Sequence, residues 1–279
     1  MSELRYDEIG YWSEIKLDIV RKYAKAYSIV LSKDVRIRKH IYIDAFAGAG
    51  VHISKQTGEF VPGSPLNALN VQPPFSEYHF IDLDRNKAEN LRKIANDSPN
   101  VAIYNEDCNS VLLDKVFTRA RYEDFHRALC VLDPYALNLD WDVVQTAGQM
   151  RTIEIFLNFM VMDINMNVLL KNRDNVLPPQ LERMDAFWGD RSWRDKLYQK
   201  PQGLLPGFDL DEKVTNNAVA AAYQERLKNV AGFAYVPDPM PMRNTRGATV
   251  YYLFFASPNK TGARIVSDIF NTYRNRGIA

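Results

Sequence analysis

Ile41-Tyr42-Ile43-Asp44-Ala45-Phe46-Ala47-Gly48-Ala49-Gly50 begins as an apolar, β-branched run and ends in a glycine-rich turn. An apolar run of this kind describes a strand buried on both faces, as in a parallel sheet. Gly48 and Gly50 can take positive φ and place no Cβ between the backbone and a ligand. A buried strand that opens into such a turn is how doubly wound folds hold a nucleotide-like cofactor. The dinucleotide fingerprint fits poorly, because Ile53 stands where it needs a third small residue opening a helix. The phosphate loop is excluded, since no Gly-Lys-Ser/Thr triplet occurs.

Strands and helices alternate outward from this stretch. Upstream, Trp12, Ile15, Ile19, Tyr23, Tyr27 and Val30 recur at helical spacing and predict a helix over 11–31 with a core-facing stripe. Arg36, Arg38, Lys39 and His40 follow, as a solvated approach to the sheet or as a phosphate-facing patch. Downstream, a polar loop of about a dozen residues leads to Ser64-Pro65, a good N-cap and first helical residue. That loop either lies over a ligand or is plain surface. Tyr78–Asp84 predicts a second strand ending in acids, and Val101–Tyr104 a third, with a helix over 110–126. Ala128–Leu132 predicts a fourth strand ending in Asp133-Pro134-Tyr135, then a helix from Asn138 to Met150 and a fifth strand from Thr152 to Phe159. Residues 160–210 break the rhythm and predict a helical insertion over the carboxyl edge of the sheet, with Trp188 and Trp193 as packing residues or base platforms. A helix over 212–230, a hairpin of 234–236 with 248–255, and a helix over 260–274 complete the chain. The expectation is a single α/β domain over 1–279.

Composition narrows the function. The 279 residues are 46% hydrophobic and 25% charged, ordinary for a globular chain. Net charge of +1 gives no global basic field for nucleic acid, though a local patch is compatible with it. Cys108 and Cys130 form no Cys-x-x-Cys, and the histidines at 40, 52, 79 and 126 are scattered, so no metal site is expected. No apolar run approaches ~20 residues and the N-terminus is charged, which predicts a cytoplasmic protein without a membrane segment.

The acids at the strand ends carry the candidate chemistry. Asp82 suits the paired hydroxyls of a ribose, while Asp84 suits the N-cap of the next helix. Asp107, with Cys108 and Asn109, suits a turn that caps the next helix. Asp133 sits where open parallel sheets place their ligands, either to hold an acceptor group or to touch only the cofactor.

Asp44-x-Phe46-x-Gly48-x-Gly50 resembles the first motif of S-adenosylmethionine-dependent methyltransferases. Asp133-Pro134-Tyr135 resembles, with one proline missing, the Asp-Pro-Pro-Tyr motif of amino-group methyltransferases. The strand pattern is similar to the seven-strand, Rossmann-like sheet of class I enzymes, whose last strand inserts antiparallel. The ordered set Tyr-Ile-Asp-x-Phe-Ala-Gly-x-Gly, Gly-Ser-Pro-Leu, Phe-Ile-Asp, Asp-Cys-Asn, Leu-Asp-Pro-Tyr, Phe-Trp-Gly and Tyr-Tyr-Leu-Phe-Phe-Ala-Ser resembles the three-Cys-motif partner family of bacterial proteins, over about residues 11–270. The resemblance implies S-adenosylmethionine as cofactor, held by Asp44, Phe46, Gly48, Gly50, Asp82, Asp107 and Cys108. It implies Asp133, Pro134 and Tyr135 as the catalytic group, acting on an amino group of an RNA or DNA base. It also implies a protein partner that carries a cysteine motif. The alternatives are a non-catalytic binding module with this fold, and a methyltransferase acting on a small molecule or protein.

Overall fold

The computed structural model describes residues 6–96, 98–199, 212–244 and 246–274. In chain order the elements are β1 (Glu8–Ile9), α1 (Tyr11–Lys33), β2 (Lys39–Asp44), β3 (Val51–Ser54), β4 (Phe60–Pro62), α2 (Ser64–Leu69), β5 (Glu77–Ile81), α3 (Arg85–Ala95), β6 (Val101–Tyr104), α4 (Cys108–Val111) and β7 (His126–Leu132). There follow α5 (Trp141–Met150), β8 (Ile153–Phe159), α6 (Val161–Asn167), α7 (Pro178–Trp188), α8 (Trp193–Lys196), β9 (Tyr198–Gln199), β10 (Glu212–Lys213), α9 (Asn216–Asn229), β11 (Met240–Arg243), β12 (Thr249–Ala256) and α10 (Lys260–Arg274).

The central sheet has seven strands in the order β11-β12-β8-β7-β2-β5-β6. β2 pairs in parallel with β5 and β7, β7 with β8, and β5 with β6. β12 runs antiparallel to both β8 and β11. This is the doubly wound sheet with an inserted antiparallel last strand that the strand pattern predicts. Alternation along each strand feeds two cores. Ile41, Ile43, Cys130, Leu132, Ile155, Leu157 and Phe254 face one, and Tyr42, Leu129, Val131, Phe156, Leu253 and Phe255 face the other. Helices α1 and α10 cover the second through Ile19, Tyr23, Phe270 and Tyr273. The apolar stripe of α1 from Trp12 to Tyr27 is therefore a packing surface, whereas Val30 is exposed, and the helix extends to Lys33.

Several local expectations are corrected. The polar loop after Gly50 is ordered: β3 and β4 form a hairpin, and β1 adds in parallel to make a three-stranded sheet over the glycine turn. Gly63, not Ser64, is the cap of α2, with Pro65 in its first turn. Residues 110–126 are not one helix. α4 passes into a π turn at 112–116 and a 3-10 turn at 117–119, because the chain must come round to enter β7. The first strand of the final hairpin is 240–243 rather than 234–236, and Tyr235 makes only an isolated bridge to Ser257.

The segment after β8 packs broadside. Phe187, Trp188, Trp193 and Leu197 join the first core with Trp141 of α5 and Tyr223 of α9. Trp188 and Trp193 are 0% and 2% exposed, so packing, not base stacking, is their role. Gly189 ends α7 at φ +92, where a Cβ would lie 2.3 Å from the Trp141 ring. The guanidinium of Arg226 is sandwiched 4.6 and 5.3 Å from the Trp141 and Trp188 rings and pairs with Asp190 at 3.0 Å. Residues 200–210 of the expected insertion lie outside the described residues.

Candidate active site

Two turns at the carboxyl edge build the site. The first leaves β2. Asp44, its last residue, is wholly buried. Its Oδ1 accepts from the Phe46 amide at 3.3 Å, and its Oδ2 has no partner among the described residues. Burial pushes this carboxyl up to about 7, with the charge of Asp133 adding and a Ser64 hydrogen bond opposing. Gly48 and Gly50 take φ +66 and +82. The Gly48 amide donates to Asp82 Oδ2 at 2.8 Å. A Cβ on Gly50 would lie 2.8 Å from Ile94 Cδ1, so this glycine is required by the packing of α3. The Gly63 amide donates to the Gly50 carbonyl at 2.8 Å and pinches the β3–β4 hairpin shut.

The second turn leaves β7. Asp133 accepts from Asn158 Nδ2 at 2.7 Å and from the Lys16 ammonium of α1. Burial alone would lower Lys16, but the Asp133 carboxylate holds it above its ordinary range. Lys16 also lies 5.5 Å from the Tyr251 ring centroid. Tyr135 is 62% exposed, and its hydroxyl accepts from Lys87 Nζ at 3.4 Å. Lys87 in turn pairs with Asp7 at 2.7 Å. The next residue, Ala136, is held at φ +55.

Between the two turns, α1 and the three-stranded sheet lies a cleft of about 510 Å³. Phe46, Gly48, Asp133, Pro134 and Tyr135 line it. Asp44, Gly50, Asp82, Asp107 and Cys108 do not. Asp44 lies buried at the end of β2, beneath the turn. Asp82 braces the glycine turn, since its other oxygen accepts from the Asp84 amide at 2.8 Å. Burial raises the Asp82 carboxyl and those two amide bonds oppose the rise. Asp84 and Asp107 cap α3 and α4, accepting from Asn86 and Lys87 and from Asn109 and Ser110 respectively. Cys108 is buried in the first core, and burial pushes its thiol up to about 12. Exposed Leu83 follows Asp82, and Asn105 donates to the carbonyls of both at 2.8 and 3.0 Å.

Lys16, His52, Asn158 and Tyr251 also line the cleft, and the strand-end motifs did not point to them. Lys16 carries a signal nonetheless. It shares a helical stripe with Val20, Tyr23 and Tyr27, all buried, and a lysine on an apolar stripe calls for a carboxylate. His52, on β3, is kept neutral by burial, and its Nδ1 has no partner among the described residues. Those residues hold no cluster that could bind a metal, and no helix among them is long and apolar enough to cross a membrane.

No family model matches the sequence, and no curated protein matches it. Solved structures do. The chain is similar to LPL1258 from Legionella pneumophila at 14% identity, covering 66% of this chain and 76% of that one with a TM-score of 0.44. It is similar to the putative methyltransferase yhhF from Escherichia coli at 16% identity, covering 50% and 69% with a TM-score of 0.30. It is similar to PKMT2 from Rickettsia typhi, solved in complex with AdoHcy, at 14% identity, covering 56% and 26% with a TM-score of 0.32.

Proposed function

We propose that the chain binds S-adenosylmethionine and transfers its methyl group to an amino group of a nucleic-acid base. The supporting observation is the cleft itself. It lies at the carboxyl ends of β2 and β7, where doubly wound sheets take ligands, and its 510 Å³ is within the usual range for cofactor-sized sites. Phe46, Gly48, Asp133 and Tyr135 line it, and the Gly48 turn opens the backbone toward the methionine portion. Asp82 and exposed Leu83 would meet the ribose and one face of the adenine, with Asp107 and the backbone of Cys108 at its edge. Once bound, the cofactor supplies an electrophilic methyl group on a sulfonium.

The chain's own residues would present the acceptor. An exocyclic amine on a base is a poor nucleophile. Asp133 and the carbonyl of Pro134 would accept its hydrogens and concentrate its lone pair. The two oxygens of Asp133 already accept from Asn158 and Lys16, and each keeps a further lone pair. Tyr135, exposed beside them, would stack on the base for roughly 1–3 kcal/mol. His52, neutral in the cleft, would take the proton that the methylated amine releases. A base within a duplex would first have to be flipped out. Loss of at least about a hundredfold in methyl transfer to RNA or DNA by Asp133→Ala, with calorimetric cofactor binding intact, is the expected result. Undiminished transfer in that variant removes the amine-positioning role.

The Lys16–Asp133 ion pair favours a second reading. A permanent cation on the acceptor-binding carboxylate suits a chain that keeps the fold and acts as the binding partner of a cysteine-motif protein. Wild-type protein that binds no S-adenosylmethionine by calorimetry would favour it.

A further inference from the structure

A second cavity, of about 310 Å³, lies at the opposite edge of the sheet. Its walls are the segments that lead into the parallel strands: 34–37 before β2, 122–127 at β7 and 151–152 before β8, closed by 258–259 after β12. The carboxyl-edge chemistry uses none of them.

Four features of this cavity converge. Three guanidinium groups line it, from Arg36, Arg127 and Arg151. Arg36 is paired with Asp34 at 2.8 Å, and Arg127 donates to its neighbouring carbonyl at 2.7 Å. The Arg151 side chain makes no hydrogen bond or ion pair to a described residue. Two aromatic rings line it too, Tyr122 at 61% and Phe125 at 44% exposure. Arg127 stands 4.9 Å from the Tyr122 ring and Arg38 5.7 Å from the Phe125 ring. Two of its residues are strained. Phe125 and Arg151 hold φ +58 and +57, where glycine or asparagine is usual, and positive-φ Ala136 lines the cleft. Finally, the hydroxyls of Tyr27 and Thr152 are buried without a partner among the described residues. The electrostatic neighbours of the Tyr27 hydroxyl, Glu154 and Arg127, both line the cavity. Against the three guanidinium groups stand the carboxylate of Asp34 and buried Glu154, which accepts from Tyr23 and from Ser257 at 2.8 Å.

We infer that this amino-edge cavity binds a phosphorylated nucleoside unit, its phosphate on the guanidinium groups of Arg127 and Arg151 and its base on the Tyr122 and Phe125 rings. Arginine meets a phosphate with paired, charge-assisted hydrogen bonds, and an exposed ring offers a sequence-tolerant stacking platform. Free mononucleotide and one unit of single-stranded RNA share this chemistry.

The test uses the full chain with uridine monophosphate and a six-nucleotide oligouridylate, which avoid the adenine that the cleft would take. Both ligands are titrated against wild type, Arg151→Gly, Tyr122→Ala and Asp133→Ala. Arg151→Gly removes the guanidinium while relieving the positive φ, so it folds at least as well as wild type. A roughly tenfold or greater loss of affinity is expected in Arg151→Gly, and roughly fivefold in Tyr122→Ala. Equal affinity for the two probes assigns a free nucleotide. Tighter, salt-sensitive binding of the oligomer assigns single-stranded RNA. No binding of either probe at millimolar concentration overturns the inference. So does binding lost in Asp133→Ala but kept in Arg151→Gly, or competition by inorganic phosphate as strong as that by the mononucleotide. These outcomes are independent of whether the cleft takes S-adenosylmethionine.

Discussion

Asp44 and Asp133 end neighbouring parallel strands. Asp44 pairs with Val131, and Asp133 lies two residues further along the adjacent strand. The residue type, the edge of the sheet and the glycine or proline chemistry after them are similar, yet their electrostatics are opposite. Asp44 is wholly buried with one oxygen unpartnered, and its carboxyl rises to about 7. Asp133 is partly exposed and carries an ammonium and an amide. What separates them is distant in sequence. Lys16 of α1 reaches Asp133 and not Asp44, because α1 crosses the second face of the sheet along Val20 and Tyr23. A strand-end carboxylate is therefore an acceptor or an anion according to which helix passes over it.

The largest expected effect is on Asp44. A carboxyl raised in the folded state stabilises below its unfolded pKa and loses that contribution as pH rises toward about 7. Relative to wild type, Asp44→Asn should gain on the order of 2–3 kcal/mol between pH 5 and pH 8, read by urea unfolding at the two pH values. An unchanged difference between those values would erase the contrast with Asp133. Next comes Lys16→Met, which strands Asp133 without its cation and should cost about 2–3 kcal/mol at pH 7. Adding Asp133→Asn should recover most of that loss, and a double-mutant cycle measures the coupling. Gly50→Ala should cost about 1–2 kcal/mol, since a Cβ there would meet Ile94 at 2.8 Å with φ at +82. The smallest effect has the opposite sign. Ala136→Gly relieves φ +55 in the β7 turn and should raise stability by about 0.5 kcal/mol, visible as a small increase in the urea midpoint.

Much of the fold was legible. The buried run 41–44, the acids closing β5 and β7, and the helix over 260–274 stand where the pattern put them. The failures have physical causes. Residues 51–62 carry only a four-residue alternation, Val51-His52-Ile53-Ser54, between polar neighbours, too short to mark a strand, and the third strand of their sheet comes from residues 8–9. Residues 110–126 carry helical periodicity that ends in π and 3-10 turns, since the entry to β7 fixes where the helix must stop. Of the candidate site, Phe46, Gly48, Asp133, Pro134 and Tyr135 meet in one cleft. Asp82 was legible as an acid at a strand end. That its oxygens hold the Gly48 and Asp84 amides was not, because backbone partners leave no trace in side-chain identity.

The sequence alone determined the alternation of strand and helix, the glycine turn at Gly48 and the acids at the carboxyl edge, because burial period and turn chemistry are local properties of the chain. Only the tertiary structure decided that Lys16 neutralises Asp133, that His52 enters the cleft, and that Arg127 and Arg151 share a cavity with Tyr122. Lys16 and Asp133 lie 117 positions apart, and Arg151 lies 24 from Arg127 and 29 from Tyr122; these meetings follow from strand order and helix crossing, which no local pattern encodes.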